Sequence, residues 1–299
     1  FYIDDLGWTD VGFTDDVLET TGNRYHETPA IDQLARESVI FWNAYSNGPN
    51  CAPSRASLMT GLYTPRHGIF TVGNPRRGNA TKRRLEPSKN KTVLPERFVT
   101  LAESLQSAGY RTATMGKWHL GKDPTTQGFD LNIAGREWGS PSGGGYRSPL
   151  KYPNLNIPKK GIYLTDALTE KACEFIEQNR SERFFLYLTH YAVHTPIQAK
   201  PEVAARYRNK TKTARHDHPE YAAMVESVDQ SVASVLAKLK ELGLREKTLV
   251  IFHSDNGGHG GVTKNTPLRG AKGMLYEGGI RVPMIMLWKN KIEGERNIA

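Results

Sequence analysis

Two pairs of polar residues with metal-binding side chains follow apolar, strand-like runs. Asp4 and Asp5 come directly after Tyr2-Ile3, and Asp255-Asn256 comes shortly after the run 248–252. In open α/β sheets, ligands bind at the edge where the carboxyl ends of the strands meet. Three carboxylates and an amide oxygen suit Ca²⁺ or Mg²⁺ better than zinc. Because clustered carboxylates repel one another without a cation, we predict a metal site here.

A second segment, Asn50 to Gly61, favours the binding of an anion. It reads Asn-Cys-Ala-Pro-Ser-Arg-Ala-Ser-Leu-Met-Thr-Gly. Pro53 and Ser54 favour a short helix that ends near Gly61. Cys51 is then predicted beside the positive end of that helix, with the Arg55 guanidinium one turn away. From the residues alone, Cys51 fits either a reactive thiolate or an inert loop cysteine.

Helical and strand-like segments alternate between the two ends of the chain. Thr100 and Glu103 form a capping box for a helix predicted over 101–108, and a strand is predicted over 110–115. The other predicted elements are a helix capped by Thr165 that reaches Asn179, a strand over 184–189, a helix over 221–242, and strands over 248–252 and 282–288. This alternation predicts an α/β fold with a mostly parallel central sheet, covered on both faces. Residues 74–92 and 122–160 are predicted as long loops over a site.

The composition excludes several classes of protein. The 299 residues are 38% hydrophobic and 24% charged, which is typical of a globular protein and excludes a disordered one. The longest apolar run, 282–288, is too short to cross a bilayer, so no transmembrane segment is predicted. The two cysteines, Cys51 and Cys173, lie in unlike contexts, which argues against a disulfide framework. Cys173 is predicted as a buried small thiol within a helix.

The formal net charge is +9, and the excess is concentrated in two segments. Seven basic residues lie between Arg76 and Lys91, and six lie between Lys200 and Arg215. They fit either solvated loops or surfaces that attract a polyanion. A nucleic acid partner is not predicted, because the chain has no RNP motif, zinc-finger spacing or helix-turn-helix.

The segment 51–55, Cys-Ala-Pro-Ser-Arg, with its continuation to Gly61, resembles the first signature of the type I sulfatases. In that signature, the cysteine of Cys-x-Pro-x-Arg is oxidised after synthesis to Cα-formylglycine. The resemblance covers nearly the whole chain and implies an alkaline phosphatase-like α/β/α sandwich. The other similar segments are 109–121 (second signature), 4–7 and 255–258 (metal motifs), 272–283 (catalytic lysine) and 192–196 (catalytic histidine).

The resemblance implies hydrolysis of sulfate esters by a formylglycine derived from Cys51. The implied ligands of a Ca²⁺ ion, or of Mg²⁺, are Asp4, Asp5, Cys51, Asp255 and Asn256. Arg55, Lys117 and Lys272 would neutralise the sulfate. Asp255 would act as the base for the attacking hydroxyl, and His194 would protonate the leaving oxygen. His119 would take the proton of the second hydroxyl, so that the hemiacetal collapses and releases sulfate.

The resemblance also implies partners and a location. The expected substrate is a sulfated carbohydrate or an aryl sulfate, and a formylglycine-generating enzyme is the expected partner during maturation. The expected location is extracytoplasmic: periplasmic, secreted or lysosomal. We expect residues 1–299 to form a single sulfatase catalytic domain, truncated at the N-terminus and lacking the C-terminal subdomain.

Two other functions are compatible with the sequence. One is a phosphonate monoesterase or phosphodiesterase on the same scaffold, since such enzymes share the metal ligands. The other is a non-catalytic protein that binds sulfated glycans, which would result if Cys51 were never oxidised.

Overall fold

The computed structural model describes residues 1–15, 18, 25–292 and 297–298. The strands are β1 (Tyr2–Ile3), β2 (Val39–Phe41), β3 (Arg111–Gly116), β4 (Leu131–Ile133), β5 (Leu150–Tyr152), β6 (Leu155–Ile157), β7 (Phe184–Thr189), β8 (Val250–Ser254), β9 (Met284–Leu287) and β10 (Asn297–Ile298). The α-helices are α1 (Pro29–Arg36), α2 (Cys51–Thr60), α3 (Thr64–His67), α4 (Leu101–Ser107), α5 (Leu164–Gln178), α6 (Pro201–Arg208), α7 (Pro219–Glu241) and α8 (Glu277–Ile280).

Eight of the ten described strands form a central sheet that is mostly parallel, as predicted, and β5 and β6 form a separate antiparallel pair. Five of them pair in the order β1-β8-β9-β2-β10, and three pair in the order β4-β3-β7. The Asp4 N–H donates to the Ala192 carbonyl at 3.1 Å, and the Val193 N–H donates to the Asp4 carbonyl at 2.7 Å. These bonds join the two groups of strands where β1 lies beside the end of β7. β9 is antiparallel to both of its neighbours, β8 and β2.

Helices cover both faces of this sheet, each over its own apolar core. On one face, α1, α5 and α6 pack around the long helix α7, and their core includes Leu168 and Val228. On the other face, α2 packs against α3 and α4, and the core there includes Trp118 and Phe129. The result is the three-layer α/β/α arrangement that alternating elements favour.

Most of the predicted elements are present, and the capping box is formed. The Glu103 N–H donates to Thr100 Oγ1 at 3.1 Å, and the Thr100 N–H donates to Glu103 Oε2 at 2.6 Å. The predicted cap at Thr165 is wrong, because α5 already begins at Leu164. The Leu164 N–H donates to the Tyr146 carbonyl at 2.8 Å, so a tertiary contact replaces a side-chain cap.

Three further predictions need correction. Residues 122–160 are not a continuous loop, since they contain β4, β5 and β6, each too short to give a periodic pattern. α2 begins at Cys51 itself, before Pro53. Cys173 is half-buried rather than fully enclosed. Residues 74–92 hold one short 3-10 turn, Ala80–Lys82, and are otherwise the predicted loop. Among the described helices, none is both long and apolar enough to cross a membrane.

Candidate active site

The carboxyl ends of β1 and β8 bring the two acidic motifs together. Ile3 pairs with Ser254, so the residues that follow each strand are neighbours. The Asp5 N–H donates to Asp255 Oδ1 at 3.1 Å, and Asn256 Nδ2 donates to Asp5 Oδ1 at 2.8 Å. Carboxylate oxygens of Asp4, Asp5 and Asp255 all lie within 4.8 Å of one another. The predicted cluster of hard oxygen ligands therefore exists as a buried group.

Each of the three carboxylates faces one cationic side chain. Arg55 Nε donates to Asp255 Oδ2 at 3.0 Å. Lys117 Nζ donates to Asp4 Oδ2 at 2.6 Å, and Lys272 Nζ donates to Asp5 Oδ2 at 2.7 Å. Arg55 and Lys117 are fully buried. Charges of both signs are thus held in one desolvated place, where electrostatic interactions are strong.

The cations do not compensate the carboxylates equally. Burial opposes ionisation of Asp255, yet Arg55 and Lys117 hold its pKa well below the usual range. For Asp4, burial outweighs Lys117 and raises the pKa well above the usual range. Among the described residues, the buried atoms Asp4 Oδ1 and Asn256 Oδ1 have no hydrogen-bond partner. An oxygen-rich group that leaves two buried oxygens without hydrogen-bond donors fits a divalent cation.

Cys51 is the first residue of α2 and is buried, with 2% of its surface exposed. Burial raises the pKa of the thiol, although Lys117 and Lys272 act in the opposite direction. The unmodified side chain is therefore a neutral thiol at pH 7, which argues against the plain reactive thiolate. An inert loop cysteine does not fit either, since Cys51 lies in a helix and its pKa responds to four charged side chains of the site: Asp4, Lys117, Asp255 and Lys272.

Both candidate histidines border the cluster and are uncharged at pH 7. Burial, Lys117 and Arg55 lower the pKa of His119 well below its usual range, and its Nδ1 has no hydrogen-bond partner among the described residues. His194 Nε2 lies 3.8 Å from Asp5 Oδ2. Burial lowers the pKa of His194 to about 4. His194 Nδ1 lies 2.6 Å from the Thr195 carbonyl, which can only accept, so Nδ1 carries the proton and Nε2 is free of one.

Two residues of the site were not predicted. Thr189 Oγ1 accepts from Arg55 at 2.5 Å and donates to the Lys117 carbonyl at 3.0 Å, which fixes the guanidinium. The sequence held a signal for Thr189, since this residue ends a predicted strand and therefore lies at the sheet edge where ligands bind. Gly139 packs against the His119 ring so closely that a Cβ there would lie 2.7 Å from Nε2. No pattern in the sequence indicates that contact.

The structure thus brings the ten predicted site residues to one edge of the sheet. Comparison with known proteins shows which family has such a site. The family model described as Sulfatase matches residues 2–299. The chain belongs to the sulfatase family. A sulfatase of Formosa agariphila is 33% identical, over 97% of this chain and 62% of the relative. The human N-acetylgalactosamine-6-sulfatase is 32% identical, over 97% of this chain and 56% of the relative.

Solved structures agree with this assignment. The crystal structure of Ps i-CgsB in complex with k-i-k-neocarrahexaose is 32% identical, with a TM-score of 0.79. That match covers 100% of this chain and 67% of the solved one. The predicted alkaline phosphatase-like α/β fold is confirmed. The chain spans about three fifths of the length of the curated relatives. Membership of the family implies a divalent metal and a formylglycine, and the acidic group described above is a candidate for the metal.

Proposed function

We propose that this sulfatase-family protein hydrolyses sulfate esters, with Cys51 oxidised to Cα-formylglycine as its nucleophile. The observation that carries the proposal is the position of Cys51. It begins α2, and the charges of Lys117, Lys272, Asp4 and Asp255 all act on the pKa of its thiol. The single negative charge of a sulfate ester beside residue 51 would lie close to these cations and to the group that could hold a metal. Named sulfatases among the relatives support the same reaction.

We assign the metal to Asp4, Asp5, Asp255 and Asn256, with residue 51 as a further ligand. Their oxygen donors favour Ca²⁺, and Mg²⁺ is the alternative. When bound, the ion would polarise a sulfate oxygen and lower the pKa of a hydroxyl on residue 51. The unbound oxygens of Asp4 and Asn256 support this ligand set.

The remaining side chains of the site would bind charge and move protons. Lys117, Lys272 and Arg55 offset the negative charge of the sulfate group and of its transition state. Asp255, whose pKa is lowered, is ionised and can accept a proton from residue 51. His119 is uncharged and can take the proton whose loss precedes the release of sulfate. His194 must gain a proton at Nε2 before it can protonate the leaving oxygen, and the negative charge of a bound sulfate ester would favour that gain.

The proposed substrate is a sulfated carbohydrate. Support comes from the basic surface of the chain and from names of relatives, which include N-acetylgalactosamine-6-sulfatase and a structure with a neocarrahexaose. Maturation by a formylglycine-generating enzyme and an extracytoplasmic location belong to the same proposal. The assignment of residues 1–299 to one catalytic domain also stays a prediction.

The decisive experiment combines mass and turnover. The protein is produced together with a formylglycine-generating enzyme, and the mass of the tryptic peptide that contains residue 51 is measured. We expect the aldehyde, and release of sulfate from an aryl sulfate well above that of a Cys51→Ala control. A cysteine that stays unmodified, or faster turnover of an aryl phosphodiester than of the sulfate, would contradict the proposal.

A further inference from the structure

The two basic segments of the chain differ in how their charges are used. In the segment 200–215, five of the six basic side chains form ion pairs. The pairs are Lys200 with Asp166, Arg206 with Glu226, Arg208 with Glu220, Lys210 with Glu27 and Arg215 with Asp15. Their partners come from other parts of the fold, so this segment is neutralised within the protein. A surface of this kind has little field left to attract a polyanion.

The basic loop, residues 74–92, is not neutralised in this way. It holds seven basic residues and one acidic residue, Glu86, which gives a net charge of +6. Glu86 pairs with Arg76 at 3.1 Å, and both side chains are exposed. Among the described residues, no ion pair involves Lys82, Arg84 or Lys89, and all three are exposed. Their charge is available to a partner.

Internal hydrogen bonds give this loop a defined shape despite its exposure. Asn90 Oδ1 accepts from the Phe70 and Thr71 N–H groups at 2.7 and 3.1 Å. Asn90 Nδ2 donates to the carbonyls of Thr71 and Gly73 at 2.9 and 2.8 Å. The Arg77 guanidinium donates to Thr71 Oγ1 at 3.1 Å and to the Asn74 carbonyl at 3.1 Å. Asn90 therefore closes the neck of the loop, and Arg77 shapes its first turn.

The base of the loop is attached to the candidate active site. The Leu94 N–H donates to the Leu120 carbonyl at 2.8 Å, directly after His119. A Cβ on Gly121 would lie 3.3 Å from Val93, so the two segments are in contact. Since residues 117–121 follow β3, the loop rises from the same sheet edge as the site. The opposite edge carries the last turn of α7, with Lys240, and the segment that leads to β8, with Lys247.

From these observations we infer that the basic loop is a binding subsite for a sulfated polysaccharide chain, next to the site that removes one of its sulfates. The inference rests on the proposed function and adds to it that the substrate is polymeric. Lys82, Arg84 and Lys89 bind sulfate groups of neighbouring sugar units through their charge. A monomeric aryl sulfate reaches only the catalytic site, so its turnover does not depend on the loop.

The test measures binding and turnover separately. Binding of dextran sulfate, neutral dextran and poly-glutamate is measured by affinity electrophoresis on a Cys51→Ala background, which cannot turn over. The triple variant Lys82→Ser, Arg84→Ser, Lys89→Ser is compared with the control Lys240→Ser, Lys247→Ser, Lys291→Ser. The control removes the same charge from exposed residues at the other edge of the sheet.

We expect the loop variant to bind dextran sulfate at least tenfold more weakly in 0.1 M salt, and the control to bind it as the parent does. The difference should shrink in 1 M salt, because the Debye length falls from about 10 Å to about 3 Å. When Cys51 is intact, the loop variant should turn over an aryl sulfate at a rate within twofold of that of the parent protein. Equal losses in both variants, or equally strong binding of poly-glutamate, would overturn the inference. Binding of dextran sulfate, together with no release of sulfate from an aryl sulfate when Cys51 is intact, would overturn the proposed function but not the binding subsite.

Discussion

Two buried clusters with carboxylates lie near the end of β1, and they are satisfied in different ways. In the candidate metal group, Asp4 Oδ1 and Asn256 Oδ1 lack a hydrogen-bond partner among the described residues. In the second cluster, Asp10 lies with His26 and His216, whose rings stack at 4.0 Å. Asp10 Oδ1 accepts from Thr263 at 2.6 Å. Asp10 Oδ2 accepts from Tyr221 at 2.6 Å and from the Gly7 N–H at 2.8 Å.

The difference separates a binding group from a structural one. The donor atoms of Asp10, His26 and His216 also approach one another closely enough to hold an ion. Both oxygens of Asp10, however, already have donors from the protein, and the cluster links the turn after β1 to α7. Buried polar atoms are almost always paired in native proteins, so unpaired ones indicate a missing partner. By this criterion, the first group lacks donors for two oxygen atoms, and we expect it to bind a cation. Within the described part of the chain, His216 Nε2 of the second cluster also lacks a hydrogen bond, but it lies 3.3 Å from Asp10 Oδ1, whose own donors are in place. We therefore expect the second cluster to stabilise the fold.

The sharpest test exchanges one carboxylate for an amide in each cluster. We expect Asp255→Asn to lower kcat/KM for an aryl sulfate by about 10³-fold, because the metal and the base are both affected. We expect Asp10→Asn to leave kcat within a few-fold but to lower the free energy of unfolding by about 3 kcal/mol, since an amide group would face three donors. The measurements are steady-state kinetics and urea unfolding. An equal loss of activity in both variants would contradict the distinction between a cluster that binds an ion and a cluster that stabilises the fold.

Metal removal should separate the clusters in a second way. Calcium at about 100 times its Kd stabilises a protein that binds it only when folded by about 2.7 kcal/mol. For a chain of this size, that corresponds to a rise in Tm of about 5 °C. We expect this rise over an EDTA-treated sample for the unmodified sequence and for Asp10→Asn, but not for Asp255→Asn. If the rise in Tm with calcium disappeared in Asp10→Asn instead, the ion would bind in the second cluster, and our assignment would be wrong.

The first cluster could be predicted from the sequence, and the second could not. Asp4 and Asp255 each follow a strand-like run, and a general rule brings the ends of parallel strands together. Asp10 ends the 3-10 helix Trp8–Asp10, and His26 and His216 lie on two loops far along the chain from each other, so only the tertiary structure brings the three together. The same contrast applies to the fold. The five consecutive apolar residues that begin β7 indicate a buried strand, whereas β4, β5 and β6 have three residues each and are held by their neighbours.

The stability of the second cluster should depend on pH through His26. Burial lowers the pKa of His26 to about 3, below the usual value of about 6.5 in an unfolded chain. The unfolded state therefore binds the proton first, and stability is lost as the pH falls from 6.5 towards 3. Above pH 6.5 this effect is absent. At pH 4.5 the loss from His26 alone is about 3 kcal/mol.

The check is the change in unfolding free energy between pH 7.5 and 4.5, measured with urea in EDTA for the unmodified sequence and for His26→Gln. The variant should lose about 3 kcal/mol less than the parent over this interval. Only the difference between the two pH values is compared, so a general destabilisation by the substitution does not matter. An identical pH dependence would mean that His26 is not buried in its neutral form.

The smallest expected effect tests whether charge strengthens the bonds to Asp10. Thr263→Val removes one hydrogen bond to a carboxylate, and Thr14→Val is the matched change, since the buried Thr14 hydroxyl donates at 2.8 Å to the neutral Val11 carbonyl. Hydrogen bonds to charged groups contribute about 1.5 to 3 kcal/mol, and neutral ones about 0.5 to 1.5 kcal/mol. We therefore expect Thr263→Val to lower the unfolding free energy by about 1 kcal/mol more than Thr14→Val, with kcat/KM unchanged in both. If the two losses were equal, the carboxylate of Asp10 would contribute no more than a neutral acceptor, and the second cluster would stabilise the fold by packing rather than by charge.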